Sequence, residues 1–154
     1  MATNVTRADT YTSIKNKRIY YSDFTDNFTQ TPFGQNLAVI TNEQDVSQSI
    51  RNLVFTNYGE RLFQPSLGCN ITGSLFELSG IPLINLLQDS ITATISLNEP
   101  RASLQSVIVQ DPNNVNNPTT PAASDKNSIE VSITYSLVNN PTPISLSIFL
   151  SRIR

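Results

Sequence analysis

The chain has 154 residues and a mass of 17.0 kDa, room for one domain around one hydrophobic core. Apolar residues make up 38% and charged residues 14%, both low for a globular protein, while Ser, Thr and Asn fill 51 of the 154 positions. A net charge of −2 with no long basic run argues against nucleic acid held by phosphate neutralisation. A single Cys69 excludes an internal disulfide, and the absence of His removes a Cys/His zinc site and the usual base of Ser and Cys hydrolases.

No apolar run approaches the roughly 20 residues of a bilayer span, so no membrane insertion is expected. Met1 to Thr6 has neither the basic end nor the apolar stretch of a signal peptide, which predicts a chain made in the cytoplasm. Residues 1–40 read as an extended, mostly polar arm with scattered aromatics (Tyr11, Tyr20, Tyr21, Phe24, Phe28, Phe33) and one cationic cluster, Lys15, Lys17 and Arg18. Such an arm needs a surface to pack on.

The first helix is predicted over 42–56. Thr41 and Gln44 have capping-box spacing, and Glu43 and Asp45 suit the positive end of the helix dipole. Val46, Ile50, Leu53 and Val54 form one apolar stripe, and Asn57 and Gly59 are terminators. From Gly59 to Gly80 the pattern is irregular and holds four of the five glycines (59, 68, 73, 80), the mark of positions where a Cβ is costly. A second helix opens at Pro82 and runs to about Leu97, with Leu83, Ile84, Leu86, Leu87, Ile91 and Ile95 on a broad apolar face and Pro100 as a stop.

Three strands follow, at 103–110, 128–138 and 144–150. The second alternates Ile129, Val131, Ile133, Tyr135 and Leu137 with polar residues, and the third does the same with Ile144, Leu146, Ile148 and Leu150. Residues 139–143 have hairpin-loop composition, and 111–126, rich in Asn and Pro, read as an exposed loop. The predicted fold class is α+β: two main helices on an antiparallel meander, with residues 41–154 as a single domain.

The segment from Asn52 to Gly68 is more specific. Asn52-Leu53 ends a helix, then come Thr56-x-x-Gly59-Glu60-Arg61, Pro65-x-Leu67-Gly68 and Leu75-Phe76-Glu77, and later the triplet Glu99-Pro100-Arg101. In this order the motifs resemble the baseplate wedge and sheath-initiator family of contractile-tail bacteriophages, which extends to a type VI secretion baseplate subunit. Leu67 stands where that family usually has an aromatic, and Gly73 where a bulkier residue is common. The resemblance implies a virion structural subunit without cofactor, in a ring around the tail tube. Its partners would be other wedge proteins, the tail sheath protein and the tail-tube initiator.

Three sets of residues are candidates for partner contact. Gly59 lets the chain leave the helix left-handed and exposes Glu60 and Arg61, which either pair locally or meet a partner. Pro100 rigidifies an elbow from which Glu99 and Arg101 project on one side, either as an internal brace or as a fork for a partner carboxylate. The last strand, Ile144, Leu146, Ile148 and Leu150, either pairs within its own domain or offers a free edge that templates the first sheath subunit by strand addition.

The family is often labelled lysozyme, and carboxylate-only glycoside hydrolysis survives the lack of His. Its candidates are Glu43, Asp45, Glu60, Glu77 and Glu99. Glu43 and Asp45 are explained by the helix start, and Glu60 and Glu99 lie beside arginines that unsuit them as acids. Glu77 has no evident partner, and no Trp marks a sugar groove. The expectation is therefore no enzyme, with a hydrolase or a small cytoplasmic adaptor as alternatives.

Overall fold

The computed structural model describes residues 18–31, 34, 36–69, 71–75, 81–110 and 128–151. The element order is β1 (Ser22–Phe24), β2 (Val39–Thr41), α1 (Glu43–Phe55), α2 (Ile71–Leu75), α3 (Ile81–Asn98), β3 (Ala102–Gln110), β4 (Ser128–Leu137) and β5 (Asn140–Ser151). This is the α+β class expected: β3-β4-β5 form an antiparallel meander and the helices cover one face. The cationic cluster's Lys15 and Lys17, the loop 111–126 and Glu77 lie outside the described residues.

Period decides each element. Val46, Ile50, Leu53 and Val54 of α1 are all buried, as their spacing dictates. In α3, Leu83, Leu87, Ile91 and Ile95 recur every four residues and are buried to 7% exposure or less. That stripe overrides the strand-like alternation of Thr and apolar residues at 91–97. Leu86, expected on the same face, is instead exposed, because it lies a helical step outside the covered arc. β4 supplies the centre of the core: Val131, Ile133 and Tyr135 are at 0% exposure. The Tyr135 hydroxyl lies 2.7 Å from Ser47 Oγ and donates to the Glu43 carbonyl at 3.4 Å, so the buried ring keeps a polar outlet on the first turns of α1.

The hairpin between β4 and β5 is tighter than composition suggested. Leu137 pairs with Asn140, and a register shift then sets Ser136 opposite Pro143, so the 139–143 segment is largely strand. A second irregularity falls between Leu104 and Ser106 in β3.

The arm folds back on itself. β1 and β2 pair antiparallel, Ser22 with Thr41 and Phe24 with Val39, an arrangement with no strong hairpin signal in the sequence. This pairing overturns the predicted helix start. Thr41 is committed to the strand, so Asn42 is the N-cap, and its side chain makes no capping bond. Asn42 Oδ1 instead accepts from the Tyr20 and Tyr21 amides at 2.8 and 3.3 Å, and Nδ2 donates to the Arg18 carbonyl at 2.9 Å. The residue holds a positive φ of 49° to do so.

Asn42→Ala removes all three bonds and is expected to cost about 1–3 kcal/mol. Amide hydrogen exchange at Tyr20 and Tyr21 should accelerate while that of the α1 core is unchanged.

Candidate partner-binding site

The turn after α3 carries the charged triplet. The Ala102 amide donates to the Glu99 carbonyl at 3.2 Å, so the elbow is a closed turn with Pro100 at its second position, not an extended segment. Glu99 and Arg101 do share a side, but they close on each other. Arg101 Nε donates to Glu99 Oε1 at 2.6 Å and Nη2 to Oε2 at 3.0 Å, a two-pronged contact. Glu99 is 3% exposed and accepts a further bond from Ser49 Oγ at 2.5 Å. Arg101 Nη1 reaches Asp45 Oδ2 at 3.2 Å, and the guanidinium lies 5.3 Å from the centre of the Tyr21 ring. The triplet is thus an internal brace tying α3, α1 and the arm together. The alternative of a fork open to a partner does not describe the free chain.

The electrostatics follow from this packing. Burial pushes the Glu99 carboxyl up, but the hydrogen bonds from Arg101 and Ser49, with the Arg101 charge, outweigh it and hold the group below its ordinary range. Asp45 goes the other way. Burial raises it more than the single Arg101 contact lowers it, and the charges of Asp23 and Glu99 add to the rise. The bonds to Glu99 hold Arg101 above its ordinary value. Asp45, read from sequence as a helix-dipole residue, is therefore also the second acid on Arg101. No local pattern could link positions so far apart.

Gly59 has a φ of 85°, the left-handed exit expected. Glu60 is not paired with Arg61. Its carboxylate accepts from the Asn57 amide at 2.9 Å and from Asn57 Nδ2 at 2.8 Å, bonds that lower its pKa. Aiming Nδ2 at Glu60 leaves Asn57 Oδ1 buried without a hydrogen-bond partner. Arg61 makes no ion pair among the described residues and lines a polar cleft of about 310 Å³ together with Arg101, Asp45, Asp23 and Asn52. The two sequence motifs, 40 positions apart, thus meet at one cleft. A separate groove of about 260 Å³, lined by Tyr20, Tyr21 and the β4–β5 turn, contains none of the motif residues.

In β5, Leu146, Ile148 and Leu150 are 8%, 3% and 4% exposed, and Ile144 packs on the same core. Their side chains face inward and are not available to a partner. Ser145, Ser147 and Phe149 face outward. The backbone of β5 pairs with β4 along one edge, and among the described strands nothing pairs with the other.

Sequence reasoning also passed over Leu62 and Phe63, which are 89% and 98% exposed on the loop after Gly59. Two adjacent large apolar residues within an otherwise polar loop were the available signal. Among the described residues no group of three or more His, Cys, Asp or Glu is placed to hold a metal ion, and no helix is long and apolar enough to cross a membrane.

The fold is that of two solved structures. A Geobacter sulfurreducens protein labelled a tail lysozyme superposes with a TM-score of 0.60 at 24% identity, over 73% of this chain and 92% of that one. A chain of the anti-feeding prophage baseplate, seen by cryo-electron microscopy with six-fold symmetry, gives 0.60 and 24% over 77% and 86%. At these identities the likeness shows the fold alone. Comparison with curated protein sequences gives no match. The family model for baseplate wedge protein gp25 matches residues 41–142, and the chain belongs to that family. It is a structural component of a tail baseplate.

Proposed function

We propose that this chain joins the baseplate wedge to the tail sheath without catalysing a reaction, and that the outer edge of β5 templates the first sheath subunit by accepting a strand. The observation that carries this reading is topological. β5 is paired from Ser128↔Ser151 to Leu137↔Asn140 on one side and has no strand neighbour on the other among the described residues. From Ile144 to Leu150 this edge is regular and carries neither a charged residue nor a proline, so the devices that discourage strand addition are confined to its start, at Pro141, Pro143 and the register shift. The partner contacts of β5 are then made by backbone and by Ser145, Ser147 and Phe149, with Ile144, Leu146, Ile148 and Leu150 holding the strand in place from below. Wedge proteins are assigned to the cleft shared by Arg61 and the elbow of Glu99, Pro100 and Arg101. No site for nucleic acid is part of this reading.

Deleting β5 is not a usable test, because it removes Leu146, Ile148 and Leu150 from the core. The double substitution Ser145→Lys, Ser147→Lys changes only outward side chains and places two charges along the edge. It is expected to fold with an unchanged melting temperature, to enter baseplates, and to abolish sheath polymerisation on them. Full-length sheath on such baseplates would defeat the templating role.

One observation favours the hydrolase reading. Asp45 and Glu99 are neighbouring acids with pKa values driven apart, the pattern of an acid and a nucleophile. Against it, both are nearly buried and both contact one guanidinium, so neither carboxyl is free to face a sugar. A peptidoglycan zymogram of pure protein should show no clearing; clearing lost in Asp45→Asn would establish the enzyme.

A further inference from the structure

Four large apolar or aromatic residues lie more than half exposed within one stretch of nine: Phe55 at 51%, Tyr58 at 54%, Leu62 at 89% and Phe63 at 98%. The loop carrying the last two is not loose. Its base is fixed by the Gly59 amide donating to the Pro65 carbonyl at 2.9 Å and the Cys69 amide to the Thr56 carbonyl at 2.8 Å. Its interior is fixed by Glu60 N–H to Asn57 C=O at 3.2 Å, Gln64 N–H to Arg61 C=O at 3.1 Å and Leu67 N–H to Gln64 C=O at 3.1 Å. Residues 60–64 curl around an open concavity of about 490 Å³. Two apolar side chains are therefore held out in water by a backbone already ordered, so little conformational entropy remains to be lost when they are covered.

The charges of the loop are also arranged. Glu60 is spent on Asn57, while Arg61 has no ion pair among the described residues. The loop thus presents an apolar knob with one positive charge at its side.

We infer that Leu62 and Phe63 are the anchor of the interface assigned above to the Arg61 cleft, inserted into an apolar socket on a neighbouring protein whose rim carries a carboxylate facing Arg61. The inference rests on the reading of the chain as a subunit within a multi-protein baseplate. A lipid surface is the lesser fit, because Arg61 is the loop's only cation and the whole chain carries a net charge of −2, whereas segments that lie on anionic membranes are rich in Lys and Arg. Partner sockets that receive a preordered aromatic typically dominate binding, and truncating such an anchor weakens association by about 30-fold or more.

The test uses tail particles assembled in cells from the complete set of baseplate proteins, with this chain as wild type, Leu62→Ser/Phe63→Ser, or Arg61→Glu. Because all three positions are exposed, each variant is expected to keep the wild-type melting temperature. The double serine variant should be incorporated into baseplates at least about 30-fold less well under competition with wild type, and Arg61→Glu should also be depleted. A photoreactive benzoylphenylalanine at position 63 should crosslink, in intact tails, to a different polypeptide at apolar residues next to an Asp or Glu. Equal incorporation of the double variant, a crosslink only to another copy of this chain, or co-flotation of pure protein with phosphatidylglycerol vesicles that is lost in the double variant would each overturn the inference. Absence of the wild-type chain from purified tails would overturn both this inference and the proposed function, whereas wild-type incorporation with an indifferent knob would leave the β5 edge standing.

Discussion

Replacing Arg101 by alanine should destabilise the protein by about 3–5 kcal/mol at neutral pH, the usual consequence of leaving a buried charge without its partner. The loss falls on two acids at once, since the side chains of Glu99 and Asp45 are 3% and 4% exposed and both contact this guanidinium. Arg101→Lys is expected to recover only part of it, because an ammonium cannot span both oxygens of Glu99 while reaching Asp45.

The pH dependence distinguishes this from a packing defect. In the wild type the Glu99 pKa lies below its ordinary 4.5, so its contribution is present above that value and is lost as pH falls through the folded value. In the alanine variant the Ser49 hydroxyl and the backbone amide of residue 101 still oppose burial, but the side-chain bonds and the charge of Arg101 are gone, so the Glu99 pKa rises from its wild-type value and the penalty of the substitution shrinks as pH falls. Asp45, already raised in the wild type, behaves in the same sense as Glu99 does in the variant, and rises further without Arg101. Urea unfolding at pH 7 and near pH 4 should therefore show the gap between the two proteins narrowing in acid. A gap independent of pH would mean that Arg101 acts through its aliphatic stem and Tyr21 alone.

Gly68→Ala should have a comparable effect for an unrelated reason. A Cβ built on Gly68 would stand 2.3 Å from the Thr56 carbonyl oxygen and 2.9 Å from its carbon, at a φ of 120° that side chains rarely adopt. Backbone cannot yield as a side chain does. Conformational strain of about 1–3 kcal/mol and overpacking of about 1–3 kcal/mol act together. Gly59→Ala is the control: φ is 85°, but nothing lies within 4 Å of the added atom, so only the strain of about 1 kcal/mol remains. Urea midpoints should rank wild type, Gly59→Ala and Gly68→Ala in that order, with the last well separated. The larger effect would also reach the cleft, because the 68–69 segment is tied to α3 through Thr94 Oγ1, which donates to the Gly68 carbonyl at 3.0 Å.

The candidate site was half legible in the sequence. The resemblance located Glu60, Arg61, Glu99 and Arg101, yet gave no reason for them to meet, and it treated the triplet as equally suited to bracing and to projection. Folding α3 against α1 brings Glu99 to Ser49 and Arg101 to Asp45, and that packing turns a motif of surface type into a buried cluster. The capping box failed for a similar cause. Thr41 has the right side chain and spacing, but a strand partner at Ser22 claims it first, and Asn42 is diverted to hold the arm.

Residue order alone determined the elements with strong periodicity: the α1 stripe from Val46 to Val54, the α3 stripe from Leu83 to Ile95 and the alternation of β4 and β5. In these, burial of each apolar residue depends on helical or strand geometry that neighbours in the chain already define. It also determined the left-handed exit at Gly59, a property of one residue. Tertiary structure decided which acid shares Arg101, that β5 lies at the margin of the meander with no strand beyond it among the described residues, and which apolar residues, such as Leu62 and Phe63, find no cover. Those outcomes depend on contacts between segments 20 to 120 residues apart in the chain, whose register is set by packing of the whole domain and is written in no local pattern.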